Sequence, residues 1–141
     1  MTKVLKKILK VFLRYIKTGL WIAFILYGTL TPSDKLPKTR ILEINYSDLV
    51  IHFSLWAILM LLLLHEMNYL KIAKESNKKN TTIALSICLG LGLFSELAQL
   101  LFIVSRTGSL FDFIADSLGS VIIFLIFRKI KKAATPDSLN T

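Results

Sequence analysis

The stretch Leu93–Gly119 reads LFSELAQLLFIVSRTGSLFDFIADSLG, and it places polar side chains within sequence that is otherwise apolar. These side chains are Glu96, Gln99, Arg106, Ser109, Asp112 and Asp116. The sequence on either side is almost uninterrupted Leu, Ile, Phe and Val. Ionisable groups are costly in such surroundings and are rarely incidental there. This stretch is therefore expected to contain the functional site, with the rest of the chain organised around it.

The composition predicts an integral membrane protein. The 141 residues are 54% hydrophobic, and the apolar residues form long runs rather than a period-2 or period-3.6 pattern. The net charge of +9 comes from basic residues that flank these runs, which argues against nucleic acid as a partner. Cys88 has no second cysteine with which to form a disulfide or a metal motif, so it is expected to be a small buried residue.

The apolar runs predict an all-α bundle of four transmembrane helices. The predicted spans are Val11–Leu30, Asp48–Leu64, Thr81–Val104 and Leu110–Phe127. The first could instead be the core of a signal peptide, but no small-x-small cleavage site follows it, which favours a retained helix. The transmembrane domain is expected to cover residues 11–132, followed by a disordered tail over residues 133–141.

The basic residues predict the orientation of the chain. Residues 1–10 are expected to form an amphipathic helix on the inner leaflet, and a specific anionic-lipid site there is the less favoured alternative. With four spans, 14 of the 18 Lys and Arg residues lie on the side of the termini. The positive-inside rule then places both termini in the cytoplasm and the protein in the cell (inner or cytoplasmic) membrane.

This topology brings polar residues of three helices to the outer half of the membrane. Glu96 is about 12 Å and Gln99 about 7.5 Å below the outer end of the third span, and Asp116 is about 9 Å below the start of the fourth. The second span adds His52, with Asp48 one turn above it. At the inner end, His65 and Glu66 are expected to be solvated.

Spacing also predicts which faces meet. Glu96 and Gln99 share a helical face with Gly92. Asp116 shares a face with Ala115 and Gly119, whose small side chains are expected to bring this face against another helix rather than lipid.

For most of these residues, a structural role is an alternative to a functional one. Ser109 and Asp112 fit a capping box at the start of the fourth helix, and Asp48 could likewise cap the second. Gln99 could simply join helices, and His52 could be a hydrogen-bonded bundle residue. Glu96 and Asp116 are harder to explain in this way because no helix terminus is expected at their depth, although pairing with Arg106 or His52 remains the alternative.

The predicted site is acidic. Four carboxyl groups outnumber Arg106 and His52, so the site favours a cationic or hydroxyl-rich group, or a divalent metal bridging to phosphate. A protonated acid beside an ionised one could also perform acid–base chemistry. Neither HExxH nor CxxC spacing is present, so no cofactor is expected and no metal ligand is assigned.

Three motifs resemble the VanZ-like family of small bacterial membrane proteins. The family's Asp-Lys-x-x-His-Phe is similar to Asp48–Phe53, and its Glu-x-x-Gln is Glu96–Gln99. The third motif, Arg-x-x-Ser-x-x-Asp-x-x-x-Asn-x-x-Gly, is matched by Arg106, Ser109, Asp112, Asp116 and Gly119. The resemblance covers roughly residues 47–127. Leu49 replaces the usual lysine, Asp116 the usual asparagine and Ile123 a frequent glycine, and the first two changes make the site more acidic.

The resemblance implies a multi-span cell-envelope protein and a link to glycopeptide antibiotic resistance, but it implies no specific activity. The leading hypothesis is an outward-facing pocket that binds an amphipathic envelope molecule, such as a lipid-linked wall precursor or a glycolipid. The predicted ligand-binding residues are Asp48, His52, Glu96, Gln99, Arg106, Asp112 and Asp116.

Two alternatives stay open. One is an intramembrane enzyme acting on an envelope lipid, by acid–base or metal-assisted chemistry, with Glu96, His52 and Asp116 as catalytic candidates. The other is a structural or partner-binding subunit whose polar residues only join helices. Membrane lipids are expected partners in each case, and a bundle this small could also self-associate.

Overall fold

A computed structural model describes residues 2–32, 47–68, 76–103 and 109–133. These residues form four helices and, within those ranges, no strand. The helices are α1 (Lys3–Leu30), α2 (Ser47–Asn68), α3 (Ser76–Phe102) and α4 (Leu110–Ala133). Residues 134–141, for which a tail was predicted, lie outside the described residues.

Three helices are long and apolar enough to cross a membrane, namely Ser47–Met67, Lys79–Phe102 and Leu110–Ala133. They contain 21, 24 and 24 residues. At 1.5 Å per residue this gives about 31–36 Å, which matches a hydrocarbon core about 30 Å thick. The prediction of an all-α membrane protein is thereby confirmed. α1 is not among the three, and the fourth crossing, Val11–Leu30, stays a prediction.

α1 is one continuous helix that includes both the predicted amphipathic segment and the predicted first span. Its C-terminal half packs on the bundle: Thr18 contacts Glu66 near the end of α2, and Thr29 contacts Gln99 near the end of α3. α1 therefore runs antiparallel to α2 and parallel to α3. Its N-terminal third leaves large apolar side chains exposed, such as Val4 and Phe12, which are available to lipid.

α2 is the central helix and packs most extensively against α4. The close approach depends on Gly119, because a Cβ atom there would overlap the backbone carbonyl of Phe53 and lie 3.2 Å from the backbone nitrogen of Ala57. Ala115 and Asp116 are buried beside it. The predicted packing of this small-residue face against a neighbouring helix is therefore confirmed.

The apolar core lies between α1, α2 and α3. It centres on Trp56, Met60 and Leu64 of α2, together with Ala84 and Cys88 of α3. Cys88 is fully buried, as predicted, and its backbone carbonyl accepts a hydrogen bond of 3.2 Å from the Trp56 indole. The core thus holds Trp56 rigidly, one helical turn from His52.

Candidate functional site

His52 of α2 and Asp116 of α4 form a buried pair. His52 Nδ1 lies 2.9 Å from Asp116 Oδ1, and their side chains are 4% and 1% exposed. Gly119 makes this contact possible, because it lets the two helix backbones approach closely one turn away. The His52 ring also stacks on Trp56, with ring centroids 5.9 Å apart and an interplanar angle of 9°. Both partners are therefore fixed in position before any ligand binds.

Asp116 keeps one oxygen without a partner. Its Oδ2 is buried and makes no hydrogen bond to the described residues. A Cβ atom on Gly92 of α3 would lie 3.5 Å from this oxygen and 3.2 Å from the Trp56 indole nitrogen. The absence of a side chain at Gly92 therefore lets α3 pack beside the His52–Asp116 pair.

Glu96 approaches the pair from α3. It is 7% exposed, and its Oε2 accepts a hydrogen bond of 2.8 Å from the backbone N–H of Ser109, directly before α4. The N-terminus of α4 thus lies within hydrogen-bonding distance of Glu96. The sequence-based expectation that no helix terminus would lie at the depth of Glu96 was wrong. Its Oε1 is buried and has no partner among the described residues.

The side chains of His52, Glu96 and Asp116 come together as one cluster, which we call the buried acidic site. Each offers one nitrogen or oxygen atom, and these three atoms lie within 4.8 Å of one another. A second cluster of the same kind joins His52 to Asp48, which is exposed, and to Asp112, which is partly buried. The predicted convergence of three helices at one end of the bundle is confirmed, and His52 belongs to both clusters.

The remaining predicted site residues have different positions. Gln99 is 2% exposed and donates from Nε2 to the carbonyl oxygen of Thr29 at 2.9 Å, so its amide joins α3 to α1. Ser109 immediately precedes α4, and its Oγ accepts a 3.4 Å hydrogen bond from the backbone N–H of Asp112, which is the N-cap half of the predicted capping box. The Ser109 backbone N–H, which the box would pair with Asp112, donates to Glu96. Arg106 lies outside the described residues.

Two residues that support the site were missed in the sequence. Trp56 follows His52 by four positions, which places both on one helical face. Ser120 follows Asp116 by four positions, and its hydroxyl donates to the Asp116 carbonyl oxygen at 3.0 Å. The spacing of Trp56 was visible, but an aromatic residue in an apolar helix carries no specific signal by itself.

At the opposite end of the bundle, the prediction that His65 and Glu66 are both solvated holds for only one of them. His65 is exposed, but Glu66 is only 4% exposed and was wrongly expected to be solvated. The Thr18 hydroxyl donates to Glu66 Oε2 at 2.6 Å. This hydrogen bond joins α1 to α2. Without it, no hydrogen bond from Thr18 would offset the cost of removing the Glu66 carboxylate from water.

Replacing Thr18 with valine is expected to loosen α1. The substitution keeps the shape of the side chain but removes the donor to Glu66, which should cost about 1–3 kcal/mol of stability. Thr18→Ser keeps the hydroxyl and serves as the control. Thermal unfolding in detergent would compare the two variants, and equal midpoints would show that the hydrogen bond does not stabilise the bundle.

The comparison with known families agrees with this arrangement. The sequence profile of the family described as VanZ/LLP1 matches residues 14–132, which is most of the chain. Searches of curated proteins and of solved structures return no significant match. The matched range contains the three helices able to cross a membrane, except for Ala133 at the end of α4, and all of the buried acidic site. The chain therefore belongs to the VanZ/LLP1 family, as its three motifs indicated.

Proposed function

We propose that this chain is a cell-envelope membrane protein whose buried acidic site binds the polar head of an amphipathic envelope molecule. The observation that carries the proposal is a pair of buried oxygens beside His52, Asp116 Oδ2 and Glu96 Oε1, that have no hydrogen-bond partner among the described residues. Buried acceptors normally have partners, so these two favour a ligand that supplies hydrogen-bond donors.

The chemistry of the site indicates the class of head group. It offers carboxylate acceptors and one imidazole, and the exposed Asp48 adds another carboxylate at the start of α2. A head group with several hydroxyl groups or a cationic group would satisfy these acceptors, as in glycolipids or lipid-linked wall precursors. Under the positive-inside rule this end faces outward, where such molecules are displayed.

Native mass spectrometry of the purified protein can test this proposal. We expect wild type to retain envelope lipids that the double variant Glu96→Gln/Asp116→Asn loses, because the variant replaces both carboxyl groups with amides of nearly the same shape. Glu66→Gln is the matched control, since it neutralises a buried carboxylate at the other end of the bundle. Identical lipid adducts in the double variant and in wild type would refute a head-group site.

The His52–Asp116 hydrogen bond supports a second candidate, an intramembrane enzyme acting on the bound lipid. A carboxylate that orients an imidazole is the usual arrangement of a general base, and here the two atoms are 2.9 Å apart. His52 would transfer the proton, Asp116 would orient its ring and Glu96 would act as a second acid. If so, wild type incubated with envelope lipids should produce a lipid of changed mass, and Glu96→Gln should not. Unchanged lipid masses with folded wild type would exclude this candidate.

A further inference from the structure

The buried acidic site has the donor set of a metal centre as well as that of a hydrogen-bonding pocket. Imidazole nitrogen and carboxylate oxygen are both ligands of zinc, and carboxylates with imidazole also suit manganese. His52, Glu96 and Asp116 supply one such donor each, from α2, α3 and α4 respectively. The resemblance to the family motifs does not specify this set, because the family's usual residue at position 116 is asparagine.

We propose that His52, Glu96 and Asp116 bind one divalent cation of the zinc or manganese class. Two atoms that each lie about 2.1 Å from one cation can be at most about 4.2 Å apart. The three donor atoms lie within 4.8 Å of one another. Ligands in tetrahedral positions around such a cation lie about 3.4 Å apart, so side-chain shifts of up to about 1 Å would complete the coordination.

Two oxygens at this site are a second indication of a ligand because, unlike Glu66 Oε1, which also lacks a partner among the described residues, they belong to carboxylates clustered with an imidazole. Asp116 Oδ2 and Glu96 Oε1 are buried and without a partner among the described residues, on side chains that are 1% and 7% exposed. The other oxygen of Glu96 accepts from the Ser109 backbone N–H, and the other oxygen of Asp116 lies 2.9 Å from His52 Nδ1, which leaves His52 Nε2 as the nitrogen that would bind the cation. These contacts fix the orientation of each carboxylate and leave its second oxygen without a partner among the described residues. Carboxylates that bind a metal are held by supporting hydrogen bonds in the same way.

The surroundings of the site favour a cation. Asp48 and Asp112 form a second three-residue group with His52 in which Asp48 is exposed, so carboxylates extend from the rim to the buried acidic site. Negative groups arranged along a path raise the local concentration of cations. A cation held by three protein ligands would keep one open position in tetrahedral geometry or three in octahedral geometry, and these could accept phosphate oxygens.

This inference goes beyond the head-group proposal and does not require it. A cation could join the three helices without binding any lipid. If both proposals hold, the cation explains how an acidic site accepts an anionic phosphate. Measuring metal and lipid on the same sample separates the two. Binding of added metal without retained lipid would refute only the head-group proposal, and retained lipid in protein that binds neither added ion would refute only the cation.

Metal binding can be measured directly on the full chain in detergent. The protein would be stripped with a chelator, equilibrated separately with Zn²⁺ and Mn²⁺, and analysed by elemental mass spectrometry. We expect about one ion per chain for wild type and for Glu66→Gln. In Glu96→Gln/Asp116→Asn the dissociation constant should rise tenfold or more. The cation site is refuted if wild type binds neither ion, or if the double variant binds as tightly.

A spectroscopic measurement on wild type covers the case in which the double variant does not fold. Pulsed electron paramagnetic resonance of the Mn²⁺-loaded protein should detect coupling to the ¹⁴N nucleus of one imidazole. His52 and the exposed His65 are the only histidines in the chain, and His65 lies at the other end of α2. His65→Gln should therefore keep the coupling. If wild type binds Mn²⁺ and its spectrum shows no ¹⁴N coupling, the proposal is overturned whatever the variants do.

Discussion

Replacing Gly119 with alanine is expected to force α2 and α4 apart and to destabilise the bundle strongly. The added Cβ would overlap the carbonyl oxygen of Phe53, which is backbone and cannot rotate away as a side chain can. Overpacking of this kind typically costs about 1–3 kcal/mol, and the upper end applies when a backbone must shift. The same shift would lengthen the His52–Asp116 contact, so both stability and ligand binding should fall.

Gly90 provides a matched control for this prediction. It is also a helical glycine, but a Cβ atom there would meet nothing within 4 Å. Gly90→Ala should therefore be neutral, or stabilise α3 by up to about 1 kcal/mol, because alanine is the better helix former. Chemical unfolding of both variants in mixed detergent would compare them. Equal free energies of unfolding would contradict the close packing of α4 on α2.

Replacing His52 with leucine is expected to be among the most damaging changes to this protein. It leaves Asp116 buried without its partner, and breaking a buried pair in this way typically costs about 3–5 kcal/mol. The double variant His52→Leu/Asp116→Leu removes the carboxylate as well. It should recover part of the loss, because a well-packed apolar pair can replace a buried ion pair at little cost.

A double-mutant cycle measures this coupling. The free energies of unfolding of wild type, both single variants and the double variant would be compared under one set of conditions. We expect the double variant to be more stable than His52→Leu alone. Strictly additive losses would indicate that the hydrogen bond of 2.9 Å contributes no coupling energy.

The apolar runs were sufficient to predict the three helices able to cross a membrane, although not where each helix ends. α3 starts at Ser76, five residues before the predicted span, because polar residues can continue a helix beyond the membrane. α4 likewise continues to Ala133, through the basic residues that were expected to stop it. Lysine is a good helix former and is favourable near a helix C-terminus, so it ends the apolar span without ending the helix.

The sequence was sufficient to predict which residues come together at the site. It was not sufficient to predict which side chains contact one another. Helical spacing placed Asp116 and Gly119 on one face, and antiparallel connection brought Glu96 to the same end as His52. The contacts themselves arise between helices distant in sequence. The burial of Glu66 depends on Thr18, which is 48 positions away, and the bond from Ser109 to Glu96 crosses from one helix to the next. No local pattern specifies either contact.

His52, Glu96 and Asp116 are expected to form a ligand-binding site rather than a purely structural cluster. An electron cryo-microscopy structure in native lipid, with a rigid antibody fragment bound, tests it most directly. We expect non-protein density within about 3.2 Å of Asp116 Oδ2 and Glu96 Oε1, the range of a hydrogen bond or a metal bond. The claim would be contradicted if both oxygens bonded only to groups of this chain, with no density between them.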